Sequence, residues 1–225
     1  MGKIYSALGL MSGTSMDGVD ASIIQSDGET NCKAIFNKYY EYNKGLFEDL
    51  TSLRDKIYNL KDLNKMGPEI VSLEKEITLF HAKICNEIIK DSGLEIDFIG
   101  FHGQTIYHNV EEKISKQIGD GNLLSQLVKK KVVYNFRKND LENGGEGAPL
   151  TPIYHKSLVE FLERKEKIKT PINILNIGGI ANLTLINSNY EIISRDIGPG
   201  NCLIDKWMRK NSNKKYDENG KSAKL

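Results

Sequence analysis

A glycine-rich segment near the N-terminus combines several groups that can bind phosphate. The segment Gly9–Asp20 reads GLMSGTSMDGVD and lies between two apolar runs. Glycine has no Cβ, so it lets backbone N–H groups approach an oxyanion closely. Thr14 and Ser15 add hydroxyl donors, and Asp17 and Asp20 add carboxylates that could hold Mg²⁺ directly or through water. We interpret the segment as a phosphate-binding turn, although turns of this composition more often have no ligand.

A second glycine turn, Gly178-Gly179, lies between two apolar runs later in the chain. The residues around it repeat the opening order of strand, glycine turn, strand, polar turn and strand. Neither turn has the spacing of a Walker A loop or of a Rossmann glycine motif. Two hairpins of this kind, facing each other across a cleft, would hold the phosphates of a nucleotide from both sides.

Charge and composition exclude several classes of function. The chain has 225 residues, with 31 Lys and Arg against 30 Asp and Glu, which argues against nucleic-acid binding as its main role. Its 3 cysteines are scattered without metal-ligand spacing, as is typical of a reducing cytosol. No apolar run is long enough to span a bilayer. We therefore expect a soluble, cytoplasmic protein without a membrane or nucleic-acid partner.

Apolar periodicity predicts the elements that position the first glycine turn. Three antiparallel strands open the chain, at Tyr5–Met11, Val19–Gln25 and Cys32–Tyr42. Helical spacing follows over Leu46–Leu60 and Ile70–Ile88, and Gly93 is placed to end the second helix.

A compact apolar strand at Ile96–Phe101 comes next, and its polar exit, His102–Thr105, is predicted to be a turn. Three antiparallel strands, a helical crossover and a further buried strand have the order of a ribonuclease-H-like unit, although other α/β sheets can share it.

The remainder of the chain is predicted from the same signals. The expected elements are a helix at Leu123–Lys130, a strand at Lys131–Phe136, a glycine-rich loop at Arg137–Thr151, strands at Ile172–Ile177, Ala181–Ile186 and Tyr190–Ile193, and a helix from about Asn201.

Six segments, in one order along the chain, carry a resemblance to a known family. They are GLMSGTSMDGVDA at 9–21, FHGQT at 101–105, QIGDGN at 117–122, FRKNDLENGGEGAPLTPIYH at 136–155, NIGGIANLT at 176–184 and DIGPGNCLIDKW at 196–207. The sequence resembles the anhydro-N-acetylmuramic acid kinases, which belong to the superfamily of actin, Hsp70 and sugar kinases. The resemblance implies an α/β fold of the actin-like, ribonuclease-H-like ATPase type.

The resemblance also implies a reaction and its ligands. The family hydrolyses the 1,6-anhydro ring of anhydro-N-acetylmuramic acid and transfers the γ-phosphoryl group of ATP to O6, in cell-wall recycling. We expect ATP and Mg²⁺ as cofactors and a small sugar as substrate. A homodimer, or a partner chain that supplies further residues, is also expected.

Site residues are carried over by matching positions. The ATP-binding loop comprises Gly13, Thr14, Ser15, Met16, Asp17, Gly18, Val19 and Asp20, with Asp17 as the metal ligand. The second phosphate hairpin comprises Asn176, Gly178, Gly179 and Asn182. Asp196 matches the general base that activates water, and Arg137 matches a sugar-binding arginine. For Asp196 the residues alone also allow a cap of the helix near Asn201.

Two further residues are candidate sugar ligands with equally plausible structural roles. His102 could contact the sugar or be hydrogen-bonded to its own loop. Asp120 could bind substrate or cap the helix that follows it.

Three features depart from the family's pattern. Asn135 stands where the family usually has an aspartate before Phe-Arg, and Ile197 stands where it usually has a threonine after the proposed base. Family members continue well beyond the position of Leu225, so we expect a complete first lobe, residues 1–168, and a shortened second lobe, residues 169–225. An inactive or split kinase half that binds sugar or nucleotide is therefore the alternative function.

Overall fold

The computed structural model describes residues 3–29, 31–166 and 168–224. Contacts within the chain divide it into two compact units, Met1–Ala148 and Pro149–Leu225. We refer to them as the first unit and the second unit.

The first unit alternates strands with helices. Its elements are β1 Tyr5–Ser12, β2 Gly18–Ser26, β3 Cys32–Glu41, α1 Lys44–Asp55, α2 Leu60–Lys65, α3 Gly67–Ser92, β4 Phe98–Asn109, β5 Ile114–Ile118, α4 Gly121–Val128, β6 Lys131–Tyr134 and α5 Phe136–Glu142.

These strands form one mixed sheet in the order β3-β2-β1-β4-β5, with β6 also paired to β4. β1, β2 and β3 pair antiparallel, whereas β1 and β6 both run parallel to β4. A parallel pair needs a long crossover. For β1 and β4 it is supplied by α1, α2 and α3, which lie between β3 and β4 along the chain. This order confirms the predicted ribonuclease-H-like architecture for the first unit.

Strand β4 is longer than predicted and pairs with different neighbours along its length. Phe98–Phe101 lies between β1 and β6, and Gln104–Asn109 pairs with β5. The prediction of a turn at His102–Thr105 is therefore wrong. The polar residues there stay in the strand because β5, which the sequence pattern did not predict, supplies backbone hydrogen bonds beyond the end of the parallel ladder.

The predicted loop Arg137–Thr151 begins with a helix, which the sequence analysis missed. The preceding strand ends at Tyr134 because Asn135 has left-handed backbone angles, with φ 62°. The Asp140 carboxylate on α5 then accepts the backbone N–H of Gly147 at 2.8 Å. This bond folds the glycine-rich part of the segment back against the helix.

The core of the first unit lies between the sheet and α3. The side chains of Leu8, Ile23 and Ile99 on the strands are fully buried, as are Ile77 and Ile88 on the helix. α3 ends as predicted at Gly93, whose left-handed backbone, with φ 64°, forms the C-cap and donates its N–H to the Ile89 carbonyl. Among the described residues, no helix is both long and apolar enough to cross a membrane.

The second unit places a hairpin sheet beside two helices. Its elements are α6 Pro152–Glu166, β7 Ile172–Ile177, β8 Ile180–Ile186, β9 Ile192–Pro199, α7 Cys202–Asn211 and a short 3₁₀ helix, Glu218–Gly220. β7, β8 and β9 pair antiparallel in sequence order. The three predicted strands are confirmed, although β9 extends beyond the predicted Ile193 to Pro199.

Helix α6, for which no element was predicted, belongs to the second unit. His155 on α6 lies 2.9 Å from the Thr184 hydroxyl of β8, and Glu163 accepts a hydrogen bond from the Tyr190 hydroxyl at 2.5 Å. The compact units therefore divide at Ala148 and Pro149, ahead of the predicted boundary between residues 168 and 169. Whether the family's lobes follow the earlier or the later position stays a prediction.

The C-cap of α3 generates a test of the backbone at one position. Gly93→Ala should lower the free energy of unfolding by about 1 kcal/mol, because a Cβ is unfavourable in left-handed geometry even though open space surrounds this residue. Gly93→Asn should cost less, since asparagine tolerates this conformation. Urea unfolding measures both variants.

The matched control is Gly45→Ala in α1. Gly45 is helical without a left-handed φ, so alanine should leave stability unchanged or raise it by up to about 1 kcal/mol. Equal losses at Gly45 and Gly93 would contradict the conformational explanation.

Candidate functional site

The first glycine turn is a compact loop between β1 and β2. The N–H of Met16 donates to the Gly13 carbonyl at 3.2 Å, and the Ser15 hydroxyl donates to the Asp17 carboxylate at 2.5 Å. Met16 has left-handed backbone angles, yet its side chain is fully buried in the core. The buried side chain anchors the loop while Thr14 and Ser15 remain exposed.

Not every residue of the predicted ATP-binding loop can contact a ligand through its side chain. Met16 and Val19 are both fully buried, so their side chains act by packing. Gly18 is required by the neighbouring strand, because a Cβ there would overlap the Tyr40 carbonyl oxygen and come within 2.7 Å of the Tyr39 hydroxyl. The groups available for a phosphate are thus the Thr14 hydroxyl and the backbone near Gly13, because the Ser15 hydroxyl proton is already donated to Asp17.

Two carboxylates at the end of this loop interact with each other. Asp20 lies on β2 beside Met11 of β1, and its pKa is raised, first by burial and second by the negative charge of Asp17. Among the described residues, no group of three or more His, Cys, Asp or Glu side chains is arranged to hold a metal. A cation here would complete its coordination with water and phosphate oxygens, as Mg²⁺ commonly does, so the pair fits that ion.

Two contacts from other elements hold the loop, and the sequence analysis did not predict them. The Gln104 side-chain NH₂ on β4 donates to the Gly13 carbonyl at 2.9 Å. The backbone N–H of Tyr42, just after β3, donates to the Asp17 carbonyl at 2.9 Å. The available signal was the glutamine of the FHGQT segment, which is completely buried.

His102 and Arg137 form a hydrogen-bonded pair in the first unit. The Arg137 Nε–H donates to His102 Nε2 at 2.8 Å, and another Arg137 nitrogen donates to the Gly147 carbonyl at 2.7 Å. His102 Nδ1 lies 2.7 Å from the Gly103 carbonyl, which can only accept, so Nδ1 carries the proton and the ring is neutral. Burial, then the positive charge of Arg137, lower the pKa of His102 to about 4.

This pairing distinguishes the two roles considered for His102. Both ring nitrogens are engaged within the protein, which confirms a hydrogen bond to the neighbouring backbone, although that backbone belongs to β4 and is not a loop. His102 orients Arg137, and Arg137 is the member of the pair whose guanidinium can bind sugar oxygens. Direct contact between His102 and the sugar stays a prediction.

Asp120 is the N-cap of α4. Its carboxylate accepts the backbone N–H groups of Asn122 at 2.9 Å and Leu123 at 3.0 Å. The capping role considered for this residue is therefore confirmed. A contact with substrate stays a prediction.

In the second unit, three predicted site residues form one row across the sheet. Asn176 on β7 pairs with Asn182 on β8, which pairs with Asp196 on β9. A β-bulge interrupts the β8–β9 ladder beside this row, because Ala181 pairs with Gly198 and leaves Ile197 as the extra residue. Bulges re-aim neighbouring side chains and often lie beside active sites.

The polar groups of this row are only partly satisfied by the protein. Asp196 is exposed, whereas the side-chain oxygen of Asn182 is buried without a hydrogen-bond partner among the described residues. Asn201, not Asp196, occupies the N-cap position of α7. The alternative that Asp196 caps this helix is therefore wrong.

The second glycine turn is joined to the start of α7. The carbonyl of Gly179 accepts the N–H groups of Gly200 and Cys202 at 3.0 and 3.2 Å, and the carbonyl of Gly178 accepts that of Asn201 at 2.8 Å. Gly200 has no space for a Cβ because the Gly178 carbonyl oxygen is too close. Backbone hydrogen bonds and close packing therefore join the turn to the start of the helix. The role of this turn as a phosphate hairpin stays a prediction.

Comparison with known proteins decides the family. The family model for anhydro-N-acetylmuramic acid kinase matches residues 5–225. The anhydro-N-acetylmuramic acid kinase of Pelagibacter ubique is 60% identical over the whole chain, and those of Agrobacterium fabrum and Brucella canis are 38% and 39% identical over 99% of it. The chain belongs to the anhydro-N-acetylmuramic acid kinase family. It spans 60% of the length of each of these relatives.

Solved structures give weaker likenesses. A Ppx/GppA enzyme of Aquifex aeolicus has a TM-score of 0.43 at 11% identity and covers 92% of this chain and 56% of its own. The ethanolamine utilization protein EutJ of Carboxydothermus hydrogenoformans has a TM-score of 0.37 at 10% identity, covering 93% and 57%. The fold assignment rests on the strand order and on family membership.

The structure places both departures from the family's pattern at unusual backbone. Asn135 has φ 62° directly before α5, in the left-handed region that asparagine tolerates better than most residues. Ile197 is the extra residue of the β9 bulge and is half exposed. Each departure therefore lies next to a predicted site residue, Arg137 or Asp196.

The neutral histidines predict how stability depends on pH. Burial lowers the pKa of both His81 and His102 to about 4, so between about pH 6.5 and pH 4 the unfolded chain binds protons that the folded chain does not. The free energy of unfolding should therefore fall as the pH falls through this range. Each histidine contributes up to about 1.4 kcal/mol per pH unit.

Urea unfolding at several values from pH 7 to pH 5 measures this slope. His102→Gln should reduce the slope of the free energy of unfolding against pH by the contribution of one histidine. His108→Gln, at an exposed histidine of the same strand, is the control. An unchanged slope in His102→Gln would contradict the assignment of a buried, neutral His102.

Proposed function

We propose that this protein is an ATP-dependent kinase that opens the anhydro ring of anhydro-N-acetylmuramic acid and phosphorylates O6. The observation that carries the proposal is the anchored loop of Gly13 to Asp17, with exposed hydroxyls beside two interacting carboxylates, in a chain of this kinase family. The product would enter cell-wall recycling in the cytoplasm, where ATP is available. A homodimer or a partner chain stays a prediction.

The proposed reaction has two coupled halves. Water attacks the anomeric carbon C1 while the C1–O6 bond breaks, and a base takes the proton that the water loses. O6 then attacks the γ-phosphorus of ATP, the bond to the bridging oxygen breaks and ADP leaves. Ring opening thus produces the nucleophile that phosphoryl transfer requires, so catalysis rests on positioning and on neutralising phosphate charge.

Asp196 is the proposed base. It is exposed and lies in the row with Asn182, whose buried side-chain oxygen lacks a partner in the described structure. Because Asp196 is exposed, its carboxylate can accept a hydrogen bond from the attacking water. The β9 bulge at Ile197 supports this role because bulges in general re-aim neighbouring side chains and often lie beside active sites.

Arg137 is the proposed sugar-binding group. Its Nε–H and one further nitrogen are used to fix the guanidinium between His102 and Gly147. A guanidinium held in this way loses little freedom when it binds, and its fork of donors suits the oxygens of a sugar or a lactyl carboxylate. Lysine could not make the same two fixed contacts.

Asp17 and Asp20 are the residues that would hold Mg²⁺. Bound there, the ion would neutralise phosphate charge and would offset the repulsion between the two carboxylates. Ser15 donates to Asp17 and thereby orients one carboxylate for this role. The hydroxyls of Thr14 and Ser15 lie on the exposed side of the same loop.

Replacement of one of these carboxylates should separate stability from metal binding. Because the folded state raises the pKa of Asp20, its charged form is unfavourable there, and Asp20→Asn should raise the melting temperature at neutral pH without divalent cations. The gain should vanish below about pH 4, where the carboxyl is protonated in both states. Added Mg²⁺ should stabilise the wild type more than the variant.

Thermal unfolding with and without Mg²⁺ measures both effects. Asp49→Asn, at an exposed carboxylate of α1, is the control and should change neither quantity. Equal stabilisation of wild type and Asp20→Asn by Mg²⁺ would exclude Asp20 as a metal-binding residue.

An assay of ADP release with anhydro-N-acetylmuramic acid, Mg²⁺ and ATP tests the function. Asp196→Asn should lower kcat by about 10²- to 10⁴-fold, because a positioned base accounts for rate effects of this size, while leaving the Kd for ATP nearly unchanged. Asp49→Asn again serves as the control for loss of a carboxylate.

The alternative is a sugar- or nucleotide-binding protein without turnover. The departures at Asn135 and Ile197 favour it, since each lies beside a residue that the reaction needs. Binding of either ligand by a folded chain that releases no ADP would support this alternative and contradict the kinase assignment.

A further inference from the structure

Helix α3 carries polar side chains on the face that packs into the core. Glu74, Thr78 and His81 are spaced i, i+4 and i+7, so they share one face of the helix. Thr78 and His81 are completely buried, and Glu74 is partly buried. We call these three residues the α3 polar stripe. Neighbouring buried positions of the helix, such as Ile77 and Ile84, are apolar as expected for packing alone.

The C-terminal end of the stripe holds the loop of Gly13 to Asp17, which we call the phosphate loop. His81 Nδ1–H donates to the Ile77 carbonyl at 2.8 Å, so Nε2 is an acceptor, and it lies 3.3 Å from the Ser12 hydroxyl. The Ser12 oxygen in turn lies 3.0 Å from the Tyr42 hydroxyl. Ser12 directly precedes Gly13, and the Tyr42 N–H donates to the Asp17 carbonyl. Both ends of the loop are thus connected to His81.

The other end of the stripe holds the loop of Gly119 and Asp120. The Thr78 hydroxyl donates to the Glu74 carbonyl at 2.6 Å, which directs its lone pairs away from the helix, and it accepts the Asp120 N–H at 2.9 Å. The Glu74 carboxylate accepts the Gly119 N–H at 3.3 Å and lies 3.5 Å from the Lys116 ammonium. This loop contains the predicted sugar ligand Asp120.

We propose that the α3 polar stripe is a positioning element that sets the phosphate loop and the Asp120 loop at a fixed separation. An α-helix rises about 1.5 Å per residue, so Glu74 and His81 are held about 10 Å apart along one rigid axis. Buried polar groups are unfavourable unless they are hydrogen-bonded, and apolar residues would have packed this face equally well. The inference rests on the proposed function, because it assigns a nucleotide to one loop and a sugar to the other.

Amide hydrogen exchange of the ligand-free chain tests the positioning directly. Thr78→Val keeps the shape of the side chain but removes the acceptor for Asp120, so the amides of Gly119 and Asp120 should exchange about tenfold faster. The amides of Gly13 to Asp17 should change by less than about twofold. Thr78→Ser restores the hydroxyl and should restore slow exchange.

Ser12→Ala tests the opposite end of the stripe. It removes the hydroxyl between His81 and Tyr42, so exchange should accelerate about tenfold at Gly13 to Asp17 and stay unchanged at Gly119 and Asp120. Ile88→Val, at a fully buried apolar position of the same helix, is the control for lost packing. Any acceleration in that variant should affect both loops equally.

Ligand affinities provide a second, independent measurement. Thr78→Val should raise the Kd or KM for the sugar about tenfold with ATP binding unchanged, and Ser12→Ala should do the reverse. Acceleration of both loops by each variant, or of neither loop, would overturn the proposal in favour of a merely structural role. A wild-type chain that binds neither ligand would refute the proposed function, whereas hydrogen exchange would still decide whether the stripe positions the loops.

Discussion

The parallel pairing of β1 with β4 is the constraint on which the rest of the first unit depends. It brings Ser12, the last residue before the glycine loop, opposite Gln104, although the two are far apart in sequence. Just before this pair, the single β1 residue Met11 faces two residues of β4, so the ladder shifts at His102 and Gly103, where Gly103 has φ 71°. The shift lets Gln104 reach the Gly13 carbonyl while His102 pairs with Arg137. This one irregularity of the β1–β4 ladder thereby positions both the residue that holds the proposed phosphate loop and the residue that holds the proposed sugar-binding arginine.

The sequence predicted the elements whose apolar pattern is regular. The opening strands, α3 with its end at Gly93, and the hairpins of the second unit follow from periodicity and turn residues. His102–Thr105 was wrongly predicted as a turn because Gln104 is buried through a specific hydrogen bond to the Gly13 carbonyl, which a hydrophobic pattern does not register. Helix α5 was missed because the glycine-rich residues beyond it resemble a loop, and the bond from Gly147 to Asp140 cannot be inferred from spacing.

The residues of the candidate site could be predicted from the sequence, but the contacts between them could not. The motif matches indicated Arg137 and Asp196, yet no spacing shows that His102 orients the arginine or that Asp196 shares a row with Asn182. Hydrogen-bond partners depend on strand register, which a single bulge changes for every residue beyond it. The roles considered for His102 and Asp120 could therefore be separated only once their partners were seen.

Local departures from the rules of stable folding cluster beside the predicted site residues. The pKa of the Asp20 carboxyl is raised beside Asp17, Met16 is left-handed at the base of the loop, and the Gln104 and Asn182 oxygens are buried without partners in the described structure. A chain selected only for stability would remove such features by substitution. The proposed cation beside Asp17 and Asp20 would offset the repulsion between these two carboxylates. The charge pair of Asp17 and Asp20 is therefore the feature of the free protein that the proposed cation would stabilise most.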